Sequence, residues 1–235
     1  MLREGNVEDF PGRDPWVHAL LAKGMVGAAK AVLPHVDLSA TDSSGRHVLQ
    51  VAVASGDSEL CTLVLQRAEA SSDAAFPADV LKASINEAIK RGHPEISRLL
   101  IEVNADVAAH ALVDAISRQD DVVSTTLLEC GAPIDVPVQM GSTSRTALHC
   151  CASKPTLLAR ILSLVVDVDV RDSNGQTALS LAAASGNLAA CEMLLKKGAL
   201  LQLKAGPTGT LANVPRVCTR TKRYHSPFHL PWRIN

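Results

Sequence analysis

Residues 174–199 read NGQTALSLAAASGNLAACEMLLKKGA. Two short apolar helical patterns are split by Ser185-Gly186-Asn187 and closed by Gly198. A helix of roughly ten residues is marginal in water, and these two are too rich in alanine to hold a core of their own. Each must lean on something outside the stretch.

The rest of the chain supplies it, because the pattern recurs. SSGRHVLQVAVASGDSELCTLVLQRA (43–68) aligns Gly45 with Gly175, Leu49 with Leu179, Ala52 with Ala182, Gly56 with Gly186, Cys61 with Cys191 and Leu65 with Leu195. Further copies are ASINEAIKRGHPEISRLLIEVNADV (83–107), with Gly92-His93 at the break, and HALVDAISRQDDVVSTTLLECGAPIDV (110–136), with Gln119 in place of the glycine. RTALHCCASKPTLLARILSLVVDVDV (145–170) is a shorter copy with Lys154-Pro155 at the break, and PWVHALLAKGMVGAAKAVLPHVDLSA (15–40) is a degenerate first one. First helical positions at Pro15, His47, Ala83, His110, Thr146 and Thr177 lie 32, 36, 27, 36 and 31 residues apart.

That spacing, with two helices per unit and the helix starts GQTALSLAAASGN and RTALH, resembles the ankyrin repeat, a unit of about 33 residues whose helix start is T-P-L-H-x-A. The resemblance implies an all-α helix-turn-helix repeat solenoid. Each pair would bury its apolar face against its neighbours, with small residues such as Ala182 and Ala183 permitting close approach. Thr146 and Thr177 stand where a side-chain oxygen satisfies N–H groups at a helix start. Gly24, Gly56, Gly92 and Gly186 stand where a left-handed residue ends the first helix. The organisation expected is a lead-in at 1–11, about six repeats over 12–205 (12–41, 42–78, 79–107, 108–140, 141–171 and 172–205) and a basic, proline-containing tail at 206–235, read as disordered. The longer intervals place loops in 69–79 and 137–145, and the 27-residue interval leaves little room for a turn between the third and fourth copies.

Composition agrees with thin layers of small side chains. Of 235 residues 47% are hydrophobic and 20% charged, but only 3% are aromatic. The net charge of −1 is unevenly spread: 206–235 holds Arg216, Arg220, Lys222, Arg223 and Arg233 with no acid, leaving 18 basic against 24 acidic residues elsewhere. The start of the chain is charged rather than apolar, so a secretory leader is not expected. No run of eighteen apolar residues suggests a membrane span. The six cysteines form no C-x-x-C pair and read as reduced thiols, which places the chain inside the cell, in cytoplasm or nucleus.

The sequence presents no catalytic or metal-binding constellation. His149-Cys150-Cys151 places a histidine beside two thiols, but adjacent helical residues point about 100° apart and do not readily share one ion. The resemblance gives His149 a structural, hydrogen-bonding role between repeats. Cys61 and Cys191 fall at equivalent core positions. Asp120-Asp121, and Asp167 with Asp169, have no matching base or nucleophile, and no phosphate-binding loop, dinucleotide fingerprint, H-E-x-x-H or G-x-S-x-G occurs. Cys218, His225 and His229 lack the second cysteine of a zinc site. No catalytic residue, metal, cofactor or small-molecule substrate is expected, and the few unpatterned charges of the tail do not suggest nucleic acid.

What remains is surface. Stacking the copies aligns Lys23, Lys90, Arg91, Arg118 and Lys154 near the ends of first helices, with Arg46, Arg145 and Arg171 in adjoining turns. Such an arrangement suits a protein partner that presents an acidic segment to the concave face. The function expected is non-enzymatic protein binding. The alternative is an adaptor or regulatory subunit, such as a ubiquitin-ligase or signalling scaffold, whose tail recruits a second protein. The tail also admits a fold-back reading, since Phe228, Leu230, Trp232 and Ile234 alternate like one face of a strand.

Overall fold

In the computed structural model of the chain, residues 18, 20–21, 25–33, 37–70 and 76–200 are described. The lead-in at 1–11, Pro15, Lys23, Gly24, Cys218, His225, His229 and the tail at 206–235 lie outside them. The chain divides into two compact units, 1–111 and 112–235.

The first unit holds α1 (Val26–Val32), α2 (Val48–Ser55), α3 (Ser58–Ala70), α4 (Ala78–Arg91) and α5 (Pro94–Val103). α6 (Ala105–Arg118) begins in it and contains the division point. Helix starts and stops follow from single residues. Gly56 and Gly92 end α2 and α4 at φ +75° and +74°, a conformation that costs other L-residues about 1–2 kcal/mol. Pro94 sits at the first turn of α5, where its missing N–H costs nothing. Inside the unit α2 packs on α3 and α4, α3 on α1 and α5, and α4 on α5. Leu49, Leu60, Ile85, Ile96 and Leu100 are fully buried. Ala52 and Ala88 are also buried completely, small enough to let helices approach. Two buried hydroxyls satisfy themselves locally, Ser84 donating to Val80 O at 2.7 Å and Ser97 to His93 O at 3.0 Å.

The second unit continues α6 and adds α7 (Asp121–Glu129), strands β1 (Val138–Met140) and β2 (Thr143–Arg145), α8 (Ala147–Cys150) running into a 3₁₀ turn (Cys151–Ser153), α9 (Pro155–Leu164), α10 (Ala178–Ala184) and α11 (Leu188–Lys196). The opening stretch is α10 and α11. Thr177 Oγ1 accepts from Ser180 N at 3.3 Å, Gly186 turns left-handed at φ +72°, and Asn187 accepts from Ala190 N at 3.1 Å to start the second helix. α10 packs on α11 and α8, and α9 on α11, α7 and α8. Ala178, Ala182, Ala190 and Leu194 are completely buried, as are Leu127, Leu158 and Ile161.

The departures from regular spacing have local causes. The third first-helix starts at Ala78, five residues before the position Ala83 that the repeat alignment marks; Pro77 precedes it and polar Asp79 and Lys82 disguise its opening turns. The fourth starts at Ala105, so the boundary drawn at 107/108 falls inside α6. Only Asn104 separates α5 from α6. It is extended (φ −147°) and its side chain accepts from Val107 N at 3.0 Å, so one residue both ends a helix and caps the next. The stretch 137–145, expected as loop in an all-α chain, is a short antiparallel hairpin pairing Val138 with Arg145 and Met140 with Thr143. Smaller bridges of the same kind join Thr41 with His47 and Arg171 with Thr177. At 154–155 proline does the work of the missing glycine: it restricts Lys154 to an extended conformation (φ −124°, ψ 90°). Gln119 takes the left-handed position at φ +63°, the one non-glycine to do so among the described residues.

Candidate interaction surfaces

Two of the turns that precede first helices are built around an aspartate. Asp172, its side chain wholly buried, accepts from Asn174 N and Gln176 N at 2.9 Å and from Arg145 Nε at 3.2 Å. In the first unit Asp42 accepts from Ser44 N at 2.9 Å, Arg46 N at 2.8 Å and Arg46 Nε at 2.8 Å. Burial alone would raise the Asp42 carboxyl, but the bonds from Arg46 and Ser44 outweigh it and hold the group below its ordinary range.

Each turn is gripped by a histidine from the preceding repeat. His149 is buried on α8. Its Nδ1 lies 3.3 Å from Thr146 N and 2.8 Å from Thr146 Oγ1. A backbone N–H can only donate, so Nδ1 is the acceptor and Nε2 carries the proton. Nε2 lies 3.1 Å from both Val170 O and Gln176 O, which can only accept. The neutral Nε2–H tautomer therefore satisfies every contact, and burial pushes the imidazole pKa down, with Asp172 opposing. His18 Nε2 makes the same link to Arg46 O at 3.1 Å in the first unit.

The basic side chains that the sequence aligns have unequal surroundings. Arg46 is tied to Asp42 (2.7 Å) and Arg145 to Asp172 (3.2 Å), both as parts of turns. Arg91 meets Glu87 at 2.6 Å and also donates to Ala54 O at 3.2 Å, which brings the end of α4 beside the end of α2. Lys90 next to it is exposed. Arg118 is 3.9 Å from Asp114 and well exposed. The ammonium of Lys154 is buried with no hydrogen-bond partner among the described residues, so it is not displayed to solvent. Arg171 is exposed. The i, i+4 spacing of Asp42–Arg46, Glu87–Arg91 and Asp114–Arg118 was visible in the sequence; aligning cations without their carboxylates overlooked it.

The thiols beside His149 do not form a reactive pair. Cys151 is fully buried and burial pushes its pKa up to about 12; Cys150 is half-buried, raised by burial, with its Sγ 3.6 Å from Met140 Sδ. Cys61 is likewise buried and pushed up to about 12. Native alkylation with iodoacetamide will label Cys61 and Cys151 on the order of a thousandfold more slowly than an exposed cysteine, as the thiolate fraction dictates. Rapid labelling of Cys151, read by peptide mass spectrometry, would contradict this placement. No cluster of three His, Cys, Asp or Glu side chains fit to hold a metal occurs among the described residues.

A feature missed by repeat alignment is a cleft of about 510 Å³ in the second unit, with Leu128, Ile134, Leu164 and Val166 in its lining. Its charged lining residues are Asp135 and Asp167. Leu164 is 54% exposed and Val166 completely so. The signal in the sequence is VVDVDV (165–170), where apolar and acidic residues alternate at the end of a repeat.

A family model described as ankyrin repeats, three copies, matches residues 112–205. Among solved structures, the ankyrin repeat domain of Bcl-3, described as a unique member of the IkappaB protein family, is 18% identical with a TM-score of 0.64, covering 90% of this chain and 100% of that one. The human ASB11 ankyrin repeat domain is 20% identical with a TM-score of 0.49, covering 91% of this chain and 99% of its own. The fold is that of the Bcl-3 domain, and no described helix is long and apolar enough to cross a membrane. The helix pairs, the aspartate turns and their histidine grips lead to the same place as the sequence match: residues 112–205 are similar to ankyrin repeats, a general protein–protein interaction module, and the described residues share that fold.

Proposed function

We propose that the chain works without catalysis, by binding a protein partner on the concave face formed by first helices and turn tips. The observation that carries this is the juxtaposition of exposed helix ends in the first unit, where the Arg91–Ala54 bond sets Lys90 and Arg91 beside Ala54 and Ser55. An incoming carboxylate can exchange with Glu87 on Arg91 at little cost, since an exposed i, i+4 pair stabilises by only about 0.3–0.5 kcal/mol. Lys90 adds a second charge at the same point. Arg118, loosely held by Asp114, offers the equivalent end in the second unit. Arg46 and Arg145 hold turns together and the Lys154 ammonium is buried, so recognition of an acidic segment is assigned to Lys90 and Arg91 in the first unit and, separately, to Arg118 in the second.

The test is binding of the full chain, wild type against K90E/R91E/R118E, at low and moderate salt. Proteins retained by the wild type should be held about tenfold more weakly by the variant, with a flatter salt dependence, as expected when a few charge pairs of roughly 0.5 kcal/mol are lost and reversed. Unchanged affinity and unchanged salt dependence would remove these three residues from recognition.

A further inference from the structure

The cleft of the second unit is apolar, partly open and acidic. Leu164 and Val166 expose large apolar surfaces at it, and its lining holds two carboxylates, Asp135 and Asp167, and no basic side chain. Apolar side chains left open beside carboxylates are what a basic, apolar segment would cover on docking. We propose that the occupant is this chain's own segment 216–235, docked in cis.

Three observations select that occupant. The first is charge and composition. Residues 216–235 contain Arg216, Arg220, Lys222, Arg223 and Arg233 and no acid, interleaved with Tyr224, Phe228, Leu230 and Trp232. That is the complement of an apolar cleft with two carboxylates. The described part of the chain, by contrast, is rich in acids and almost free of aromatics.

The second observation is position. The last described residue, Leu200, donates its N–H to the Asp169 carboxylate at 3.0 and 3.3 Å. Asp169 in turn donates its own N–H to Asp167 Oδ1 at 2.9 Å, and Asp167 lines the cleft. Leu200 is therefore two hydrogen bonds away from a residue of the cleft.

The third is reach. Sixteen positions separate Leu200 from Arg216, and a chain of that length spans about 22 Å in root-mean-square terms and about 54 Å when fully extended. A tether this short holds its end at an effective concentration of the millimolar order. Even weak docking is then populated, and any outside ligand with the same basic and apolar chemistry has to displace the segment first. The inference stands on the cleft and the segment, and does not depend on the partner surface proposed above.

Hydrogen exchange on the full chain tests it. Amides in 128–135 and 164–170 should exchange about tenfold faster in F228S/W232S/R220E/R223E than in the wild type, matching a millimolar effective concentration against a dissociation constant near a tenth of that. Adding synthetic peptide 216–235 to the variant should restore protection. As a reciprocal check, D135N/D167N should speed tryptic cleavage after Arg220 and Arg223 by a similar factor, with thermal melts confirming that the repeats remain folded. Equal exchange in wild type and tail variant would overturn the proposal. So would protection that rises with chain concentration, since the segment would then sit on a second copy.

Discussion

His149→Leu should destabilise the second unit by about 3 kcal/mol, because it strands several polar groups at once. Thr146 N–H loses its acceptor, and the carbonyls of Val170 and Gln176 lose their donor. An unpartnered buried polar group costs about 1–3 kcal/mol; the two carbonyls belong to half-buried residues and recover part of that from water. Urea titration and hydrogen exchange over 145–185 would measure the loss. A cost below about 1 kcal/mol would mean the histidine grip is dispensable. The same imidazole makes stability depend on pH. Its folded pKa is lowered, chiefly by burial and further by Arg145, while Asp172 and the two carbonyl bonds pull the other way. As pH falls through the ordinary value of about 6.5, the unfolded chain takes up a proton that the folded chain refuses. This contribution is therefore complete above pH of about 6.5 and is lost on acidification until the folded imidazole itself protonates, at no more than about 1.4 kcal/mol per pH unit. His149→Gln should flatten that part of the profile; a wild-type profile identical to the variant's would refute the assignment.

Gly56→Ala should cost about 2–3 kcal/mol, against about 1 kcal/mol for Gly92→Ala. Both residues are left-handed, at φ +75° and +74°, so the backbone strain is common to the two. Their surroundings differ. A Cβ on Gly56 would meet the His93 ring at 2.9–3.0 Å, whereas one on Gly92 would meet nothing within 4 Å. The ring of the next repeat rests on the bare glycine, and it must swing away for any side chain to fit. Adding His93→Ala to each background turns this into a double-mutant cycle. The excess cost at Gly56 should vanish once the ring is gone; an excess that survives would place the strain in the backbone alone.

These two sites mark what the sequence could and could not disclose. Gly56, Gly92 and Gly186 were legible because a left-handed helix end has almost one solution, and a repeat displays it at a fixed interval. Thr177 was legible for the same reason at the other end of the helix. The start of α4 was not, because Asp79 and Lys82 interrupt the apolar pattern and the preceding EASSDAAFP reads as loop. Asn104 was hard to foresee: one residue serving two helices leaves no composition to detect. The hairpin at 138–145 is three residues a side, too short for alternation to emerge above noise. At the surface, cations were counted without the carboxylates one turn earlier, so a uniform stripe was expected where Arg46, Arg91, Arg118 and Arg145 each have a partner of their own. The cleft was hidden for a different reason. It gathers 128–135 with 164–170, and no periodicity in one repeat reports what two repeats leave uncovered.

The aspartate turns carry a consequence for how such a chain can change. Asp42 and Asp172 hold the turn from within, through backbone N–H groups of the residues they span. The side chains of Ser44 and Asn174 are exposed and contribute only their backbone to those bonds. Syntax and vocabulary are thereby written in different atoms: the grammar of the turn is fixed by one carboxylate, while the letters at its tip stay open to substitution. Selection, or a designer, can respell what the tips say to a partner without renegotiating the sentence that holds them up.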